Sequence, residues 1–243
     1  IDLVPESAPE VSDSGAKMTT IEGVGMFIFQ FWGMYFDENQ DKPLNDVRVR
    51  EALSLAINRQ DIIDYTLNGY GRPSMPFATF PTSIEVDVER WQNWAKEALV
   101  YDPERAKALV AEAGYADGFE LTMWSTNFSG TPYMNDISQA LAGFWEEIGA
   151  TVDLKVVEGG IWRPMTRAKG NSKWGEAMNG DISIYRNAGR PLTVTRYNTT
   201  FAPGSGHHAF GDDDHMTPQA EEYVRLNEIA TSSMDESERY KAT

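Results

Sequence analysis

Apolar residues recur along this chain with two spacings, and the spacing sorts it into strands and helices. Over residues 119–124 they alternate, Phe119, Leu121 and Met123 against Glu120, Thr122 and Trp124. The same two-residue period returns over residues 151–157 in Val152, Leu154 and Val156. Such alternation predicts strands. Residues 181–185 predict a further short strand. The aromatic run over 25–36 predicts a strand buried on both faces, although its periodicity also fits a buried helix.

Helical spacing and end signals mark the rest. Asp46 is placed to cap a helix over 47–57, where Val49, Leu53 and Ile57 form one apolar stripe. Asn58, with Asp61 three positions on, resembles a capping box for a second short helix that closes near Gly69. Residues 101–115 carry Asp102 as cap, Pro103 in the first turn and Gly114 at the left-handed end. A helix over 132–148 turns Ile137, Leu141, Phe144, Trp145 and Ile148 inward, and shorter helices are predicted over 161–168 and 217–229. Pro73, Pro76 and Pro81 break residues 69–88 into loop. Residues 186–215 predict no regular element, and a loop of that length in a compact domain tends to be functional. A capping box at Asp235 and Glu238 announces a helix that the few residues to Thr243 are too short to complete, so the chain reads as an excised piece. Strand, helix and strand within about forty residues predict parallel pairing across a crossover.

Composition narrows the picture. The 243 residues are 41% hydrophobic and 24% charged, which supports a folded core in one large or two small domains and excludes wholesale disorder. No apolar run reaches the roughly 18–20 residues needed to span a bilayer. The absence of cysteine excludes disulfides and thiol chemistry. With 21 basic against 37 acidic residues the net charge is −16, and without a dense basic patch nucleic acid is excluded as a partner. No nucleophile elbow, zinc-protease helix, phosphate loop or dinucleotide fingerprint is present, so no catalytic residue and no cofactor are predicted.

Three segments together resemble the family 5 extracellular solute-binding proteins, the peptide/nickel-type receptors of ABC importers. The run LNDVRVREALSLAINR over 44–59, followed by Asp61-Ile62-Ile63, is similar to that family's D-x-R-V-R-x-A-L-x-x-A-I-D/N-R helix. YDPERAKALVAEAGY over 101–115 resembles its Y-D-P-x-x-A-K-x-L-L-x-E-A-G helix. Residues 137–157 look like its helix ending in W-x-x-I-G before a strand, and the resemblance in order and spacing runs over the whole chain. The resemblance implies a periplasmic-binding-protein-like (type II) α/β lobe, a mixed sheet flanked by helices, from a two-lobed protein. Residues 1–24 would be a crossing segment and flank and 25–243 the inserted lobe, with the first lobe of the same protein missing. It further implies a protein held at the membrane on the periplasmic or extracellular side, as a lipoprotein is, that closes on a small solute and delivers it to a membrane ABC permease.

Peptide-binding relatives carry a Gly-Trp-x-x-Asp pattern after the strand equivalent to 181–185, its acid pairing with the peptide ammonium. Here no Asp or Glu lies between Asp181 and Asp212, whereas Arg186, Arg190 and Arg196 fall in that interval. Tyr185, Arg186, Asn187 and Arg190 are therefore expected to line the cleft, favouring an anionic or hydroxyl-rich ligand over a free amine, with arginines paired to the acidic surface as the alternative. Trp124, Trp162 and Trp174 are candidate stacking surfaces for a sugar, against the commoner fate of filling core volume. His207, His208 and His215 beside Asp212, Asp213 and Asp214 lack metal-motif spacing and read as a solvated loop. The ligand remains open between an oligopeptide and an oligosaccharide or anionic solute, and a carbohydrate-active hydrolase is the alternative of another class.

Overall fold

The computed structural model of the chain describes residues 5–19, 25–74, 83, 86–127, 131–167, 178–188, 193–203 and 216–243, and among these the strands pair into a four-stranded sheet. The strands are β1 (Gly25–Phe31), β2 (Phe119–Asn127), β3 (Ala150–Glu158) and β4 (Ile182–Ala188), in the order β1-β4-β2-β3. β2 is parallel to both β3 and β4, and β1 is antiparallel to β4. The helices are α1 (Ala8–Asp13), α2 (Val47–Leu55), α3 (Arg59–Asp61, running on as a π turn), α4 (Val88–Ala98), α5 (Pro103–Glu112) and α6 (Met134–Glu146). They continue as α7 (Gly159–Arg167), α8 (Thr193–Phe201), α9 (Pro218–Ser232) and α10 (Glu236–Ala242).

Register puts two unlike faces on the sheet, because residues paired across a ladder point the same way. Leu121 and Met123 pair with Val152 and Leu154, Met123 also with Ile182, and Ile182 and Ile184 with Phe31 and Phe29. This apolar face packs against Val49, Ala52 and Leu53 of α2, Ala106, Leu109 and Val110 of α5, and Ile137, Leu141 and Trp145 of α6. The opposite face carries Thr122, Trp124 and Thr126 of β2, Ser183 and Asn187 of β4, and Met26, Ile28, Gln30 and Trp32 from β1 and its end. There a smaller cluster forms around Trp32, Trp162 and Met178, with Met165 of α7 against it. α6 and α7 thus cover opposite faces.

The arginines of the helical motif are clamps. At the carboxyl end of α2 the Ala52 carbonyl accepts from Ala56 N at 2.9 Å, and Leu53 accepts from Trp145 Nε1 at 2.9 Å. Ser54 accepts from Ile57 N and from Arg59 Nη1 at 3.1 Å, and Leu55 accepts from Asp102 N at 2.9 Å. Helix ends leave such carbonyls without a partner inside the helix, so side chains elsewhere must supply one. Arg50 Nη1 likewise donates to the Leu44 and Asn45 carbonyls at 2.8 and 2.7 Å, and Arg48 Nη1 to Glu112 O at the end of α5 at 2.7 Å. Where β2 and β3 begin side by side the backbones nearly touch: a Cβ on Gly118, whose φ is +97°, would lie 2.9 Å from the Gly149 carbonyl oxygen.

Several expectations need correction. β1 stops at Phe31, because Gly33 turns the chain with φ 64°. The 186–215 stretch is not structureless: β4 runs on to Ala188, and α8 occupies Thr193–Phe201, seating the hydroxyls of Thr193 and Thr200 in the interior. The Asp235 capping box does open a helix, α10, with Asp235 Oδ1 accepting from Ser237 N at 2.8 Å. α4, capped by Asp87, has no counterpart in the sequence expectations.

Candidate functional site

Open parallel sheets bind ligands beyond the carboxyl ends of their strands, where neighbouring strands send their connections apart. Here the chain leaving β2 passes through α6 to β3, while β4, on the other side of β2, leads towards α8. Pairing between β2 and β4 is confined to Met123↔Ile182 and Trp124↔Ser183, although β2 continues to Asn127 and β4 to Ala188. The two strands therefore part at their carboxyl ends, and α8 begins just beyond.

The polar groups at that opening are buried. Asn187 is 1% exposed, and neither its Nδ2 nor its Oδ1 has a hydrogen-bond partner; Thr126 is fully buried with its Oγ1 unpartnered. Both sit on the face covered by α7. A buried polar group left without a partner costs about 1–3 kcal/mol, and native structures rarely keep one without a reason. On the other face, Ser125 Oγ lies 3.2 Å from Asn135 Oδ1, Asn135 Nδ2 donates to Asn127 Oδ1 at 2.6 Å, and Ser138 Oγ lies 2.7 Å from Ser125 Oγ. That network ties the end of β2 to α6 and fixes its position. Arg186 is exposed and folds across the start of β1, its Nε 2.8 Å from where a Cβ on Gly25 would stand.

The residues expected from sequence are only partly brought together. Arg186 and Asn187 both lie near the carboxyl end of β4 but on opposite faces of the sheet, and Tyr185 is in β4 with its side chain outside the described set. Trp124 lies mid-strand rather than at a strand end, since β2 extends three residues further. Its indole N–H donates to Asp181 Oδ2 at 2.8 Å, and Lys155 Nζ sits 5.0 Å from its ring centre. Asp181 precedes β4, so this contact lies roughly 20 Å along the strand from Asn187 at ~3.3 Å per residue. Burial pushes the Asp181 carboxyl above its usual 3.8, opposed by the Trp124 hydrogen bond and by Lys42 and Lys155. Trp162 is 4% exposed and packed on Trp32 and Met178. Trp174, Arg190, His207, His208, His215, Asp212, Asp213 and Asp214 lie outside the described residues. Thr126 was not foreseen, because a threonine on the polar side of an alternating strand reads as solvent-facing until a helix is seen to cover it.

A concavity of about 260 Å³ lies elsewhere, among α4, α8, α9 and α10, lined by Trp91, Tyr197, Phe201, Tyr223 and Leu226. Tyr223 Oη is satisfied there by Asn198 Oδ1 at 2.5 Å, and burial raises its pKa to about 12. This pocket is apolar packing between helices.

An α/β unit whose parallel strands part at their carboxyl ends is an architecture on which ligand sites are commonly built. Residues 3–205 match the model of the bacterial extracellular solute-binding proteins, family 5 Middle, so the chain belongs to that family. It is 33% identical over 139 residues to the glutathione-binding protein GsiB of Salmonella typhimurium, a match taking in 56% of this chain and 25% of that protein. Over 99% of its length it superposes with a TM-score of 0.72 and 18% identity on AgaA of A. tumefacien R10 in complex with agropinic acid, covering 44% of that chain. A dipeptide-binding protein of pseudoalteromonas sp. SM9913 in complex with Met-Leu superposes with a TM-score of 0.68 and 18% identity, over 97% of this chain and 43% of the other. The match takes in a quarter of the curated relative, and the chain spans somewhat less than half of the solved structures it matches.

Proposed function

We propose that the chain is one lobe of a two-lobed extracytoplasmic receptor that captures an oligopeptide or a related small solute and hands it to a membrane ABC permease. In this reading residues 1–24 form the crossing segment and flank, residues 25–243 form the lobe, and the remainder of the cleft comes from the first lobe of the same protein. The observation that carries it is the pair of buried, unpartnered side chains, Asn187 and Thr126, at the parting carboxyl ends of β4 and β2. Leaving those groups unsatisfied weakens the fold, and a bound solute restores their hydrogen bonds. Relatives that bind glutathione and the dipeptide Met-Leu support a peptide-like solute. Arg186, exposed at the same end of β4 but on the other face of the sheet, and Tyr185 and Arg190 along the chain would supply donors for an anionic part of a ligand that reaches over the strand ends. The protein acts by closing its lobes and does no chemistry on what it holds.

The test is a thermal-shift screen of the full-length protein against peptides, oligosaccharides and sugar acids. A ligand at a hundred times its Kd stabilises by about 2.7 kcal/mol, which at this size raises Tm by several degrees. Peptides are expected to do so. Turnover of a chromogenic glycoside, with no compound raising Tm, would overturn the receptor reading in favour of a hydrolase.

A further inference from the structure

We infer that Asn187 reads an uncharged amide of the solute, so that the receptor accepts peptides whose amino terminus is blocked. The inference rests on the binding site proposed above and names the chemistry it selects. A carboxamide offers two N–H donors and one carbonyl acceptor in a fixed plane. In Asn187 both ends are 99% enclosed and without a partner, so the missing group must donate and accept at once. An ammonium only donates and a carboxylate only accepts, and either leaves one end of the carboxamide unmet. The N–H and C=O of an extended peptide residue lie on one edge of the backbone, the arrangement two strands use when they exchange both bonds. Thr126 Oγ1, unpartnered on the same face of the neighbouring strand, is a second buried group that needs a donor or acceptor.

The charges around the opening agree. From Ile182 to Gly211 the sequence contains no Asp or Glu, so β4 and its continuation carry no anion for a peptide ammonium. The end of β2 is Ser125-Thr126-Asn127, also uncharged. Glu158 of β3 pairs with Asn127, which places it on the opposite face of the sheet from Asn187 and beyond β2. Asp181 stands at the far end of β4 with its oxygen engaged by Trp124. Among the described residues, the strand segments that flank Asn187 in β1, β2 and β4 carry no acid, so an ammonium placed there would have no counter-charge from them.

The test is isothermal titration calorimetry on the full-length protein with three probes: a pool of free-amine tripeptides, the same pool N-acetylated, and a pool of malto-oligosaccharides. The two peptide pools are expected to bind within about threefold of each other. Asn187→Leu, close in volume and free of polar atoms, should keep or raise Tm while weakening both peptide pools by about tenfold or more, the loss expected when a buried hydrogen-bond partner is removed. Asn187→Asp should turn the preference towards the free amine by about tenfold; should that variant fail to fold, the Leu variant decides. Binding of the free-amine pool alone, or unchanged peptide binding by Asn187→Leu, overturns the inference and leaves the receptor intact. Binding of the oligosaccharide pool alone does the same. If no pool binds and nothing in the thermal screen raises Tm, the receptor reading itself fails.

Discussion

Trp145 joins three parts of the core through one side chain, and replacing it with phenylalanine separates its two roles. The ring is fully buried, stands edge-on to Phe29 with centroids 5.6 Å apart, and its Nε1–H donates to the Leu53 carbonyl at 2.9 Å. That carbonyl has no helical partner, because Ile57 N turns back to Ser54 O instead. Trp145→Phe keeps an aromatic ring beside Phe29 but strands the Leu53 oxygen in the core, which costs about 1–3 kcal/mol. The unfilled volume adds about 1 kcal/mol. The expected loss is therefore roughly 2–4 kcal/mol, or some 4–16 °C in Tm for a chain of this size. Urea unfolding followed by far-UV circular dichroism measures it without relying on tryptophan emission. A double-mutant cycle with Phe29→Leu should return a coupling of about 0.5–1.5 kcal/mol for the edge-to-face pair. A loss below about 0.5 kcal/mol for Trp145→Phe would show that water or a shifted helix end satisfies Leu53, and that Trp145 is a space-filler only.

Arg59→Met keeps the aliphatic stem but removes the donors to Ser54 and Ile57, and should lower urea stability by about 2–3 kcal/mol; Arg59→Lys should recover only part, since one ammonium cannot reproduce the fork. Asp102→Ala removes the side-chain acceptor of Arg105 N at the start of α5 and should cost about 1 kcal/mol in the same assay. Asp181 holds its proton to a higher pH when folded than when unfolded, so its contribution to stability is greatest below pH 3.8 and is lost as pH rises through the raised folded value. Asp181→Asn should consequently raise Tm at pH 7 and leave it unchanged near pH 3; a lower Tm at pH 7 would mean that the Trp124 hydrogen bond outweighs burial. Tyr223 should titrate near 12 by its phenolate absorbance, and stability should fall between pH 10 and 12 as the unfolded chain ionises first.

The scaffold was largely written in local chemistry. Asp46, Asn58, Asp102 and Thr217 each accept from a backbone N–H at the helix start they mark, and the alternation at 119–124 and 151–157 registers as a parallel pair. α8 escaped because its TVTRYNTTF sequence favours extended structure and buries threonine hydroxyls rather than an apolar stripe. α4 was within reach of the same reading: Val88, Trp91, Ala95 and Ala98 recur at helical spacing behind the Asp87 cap, although none of them is buried. The lack of an acid in the segment points to Arg186 and Asn187, and β4 carries both. Thr126 was not, since the polar side of β2 looks identical whether water or α7 covers it. Trp124 was misplaced for a related reason: its partner Asp181 is 57 positions away, a distance that no local pattern encodes.

The strand order also fixes a timetable. β1 is synthesised early, yet its ladder partner β4 comes much later, and the bond from Trp32 to Ser183 spans 151 positions. At translation rates of about 5–20 residues per second the delay is on the order of ten to thirty seconds. Throughout it the segment GMFIFQF, uncharged and strongly β-prone, has nothing of its own sheet to pair with. Strands of this kind pair readily with copies of themselves on neighbouring chains. The yield of folded protein therefore depends on what shields β1 from its own kind until the second half of the lobe has been made.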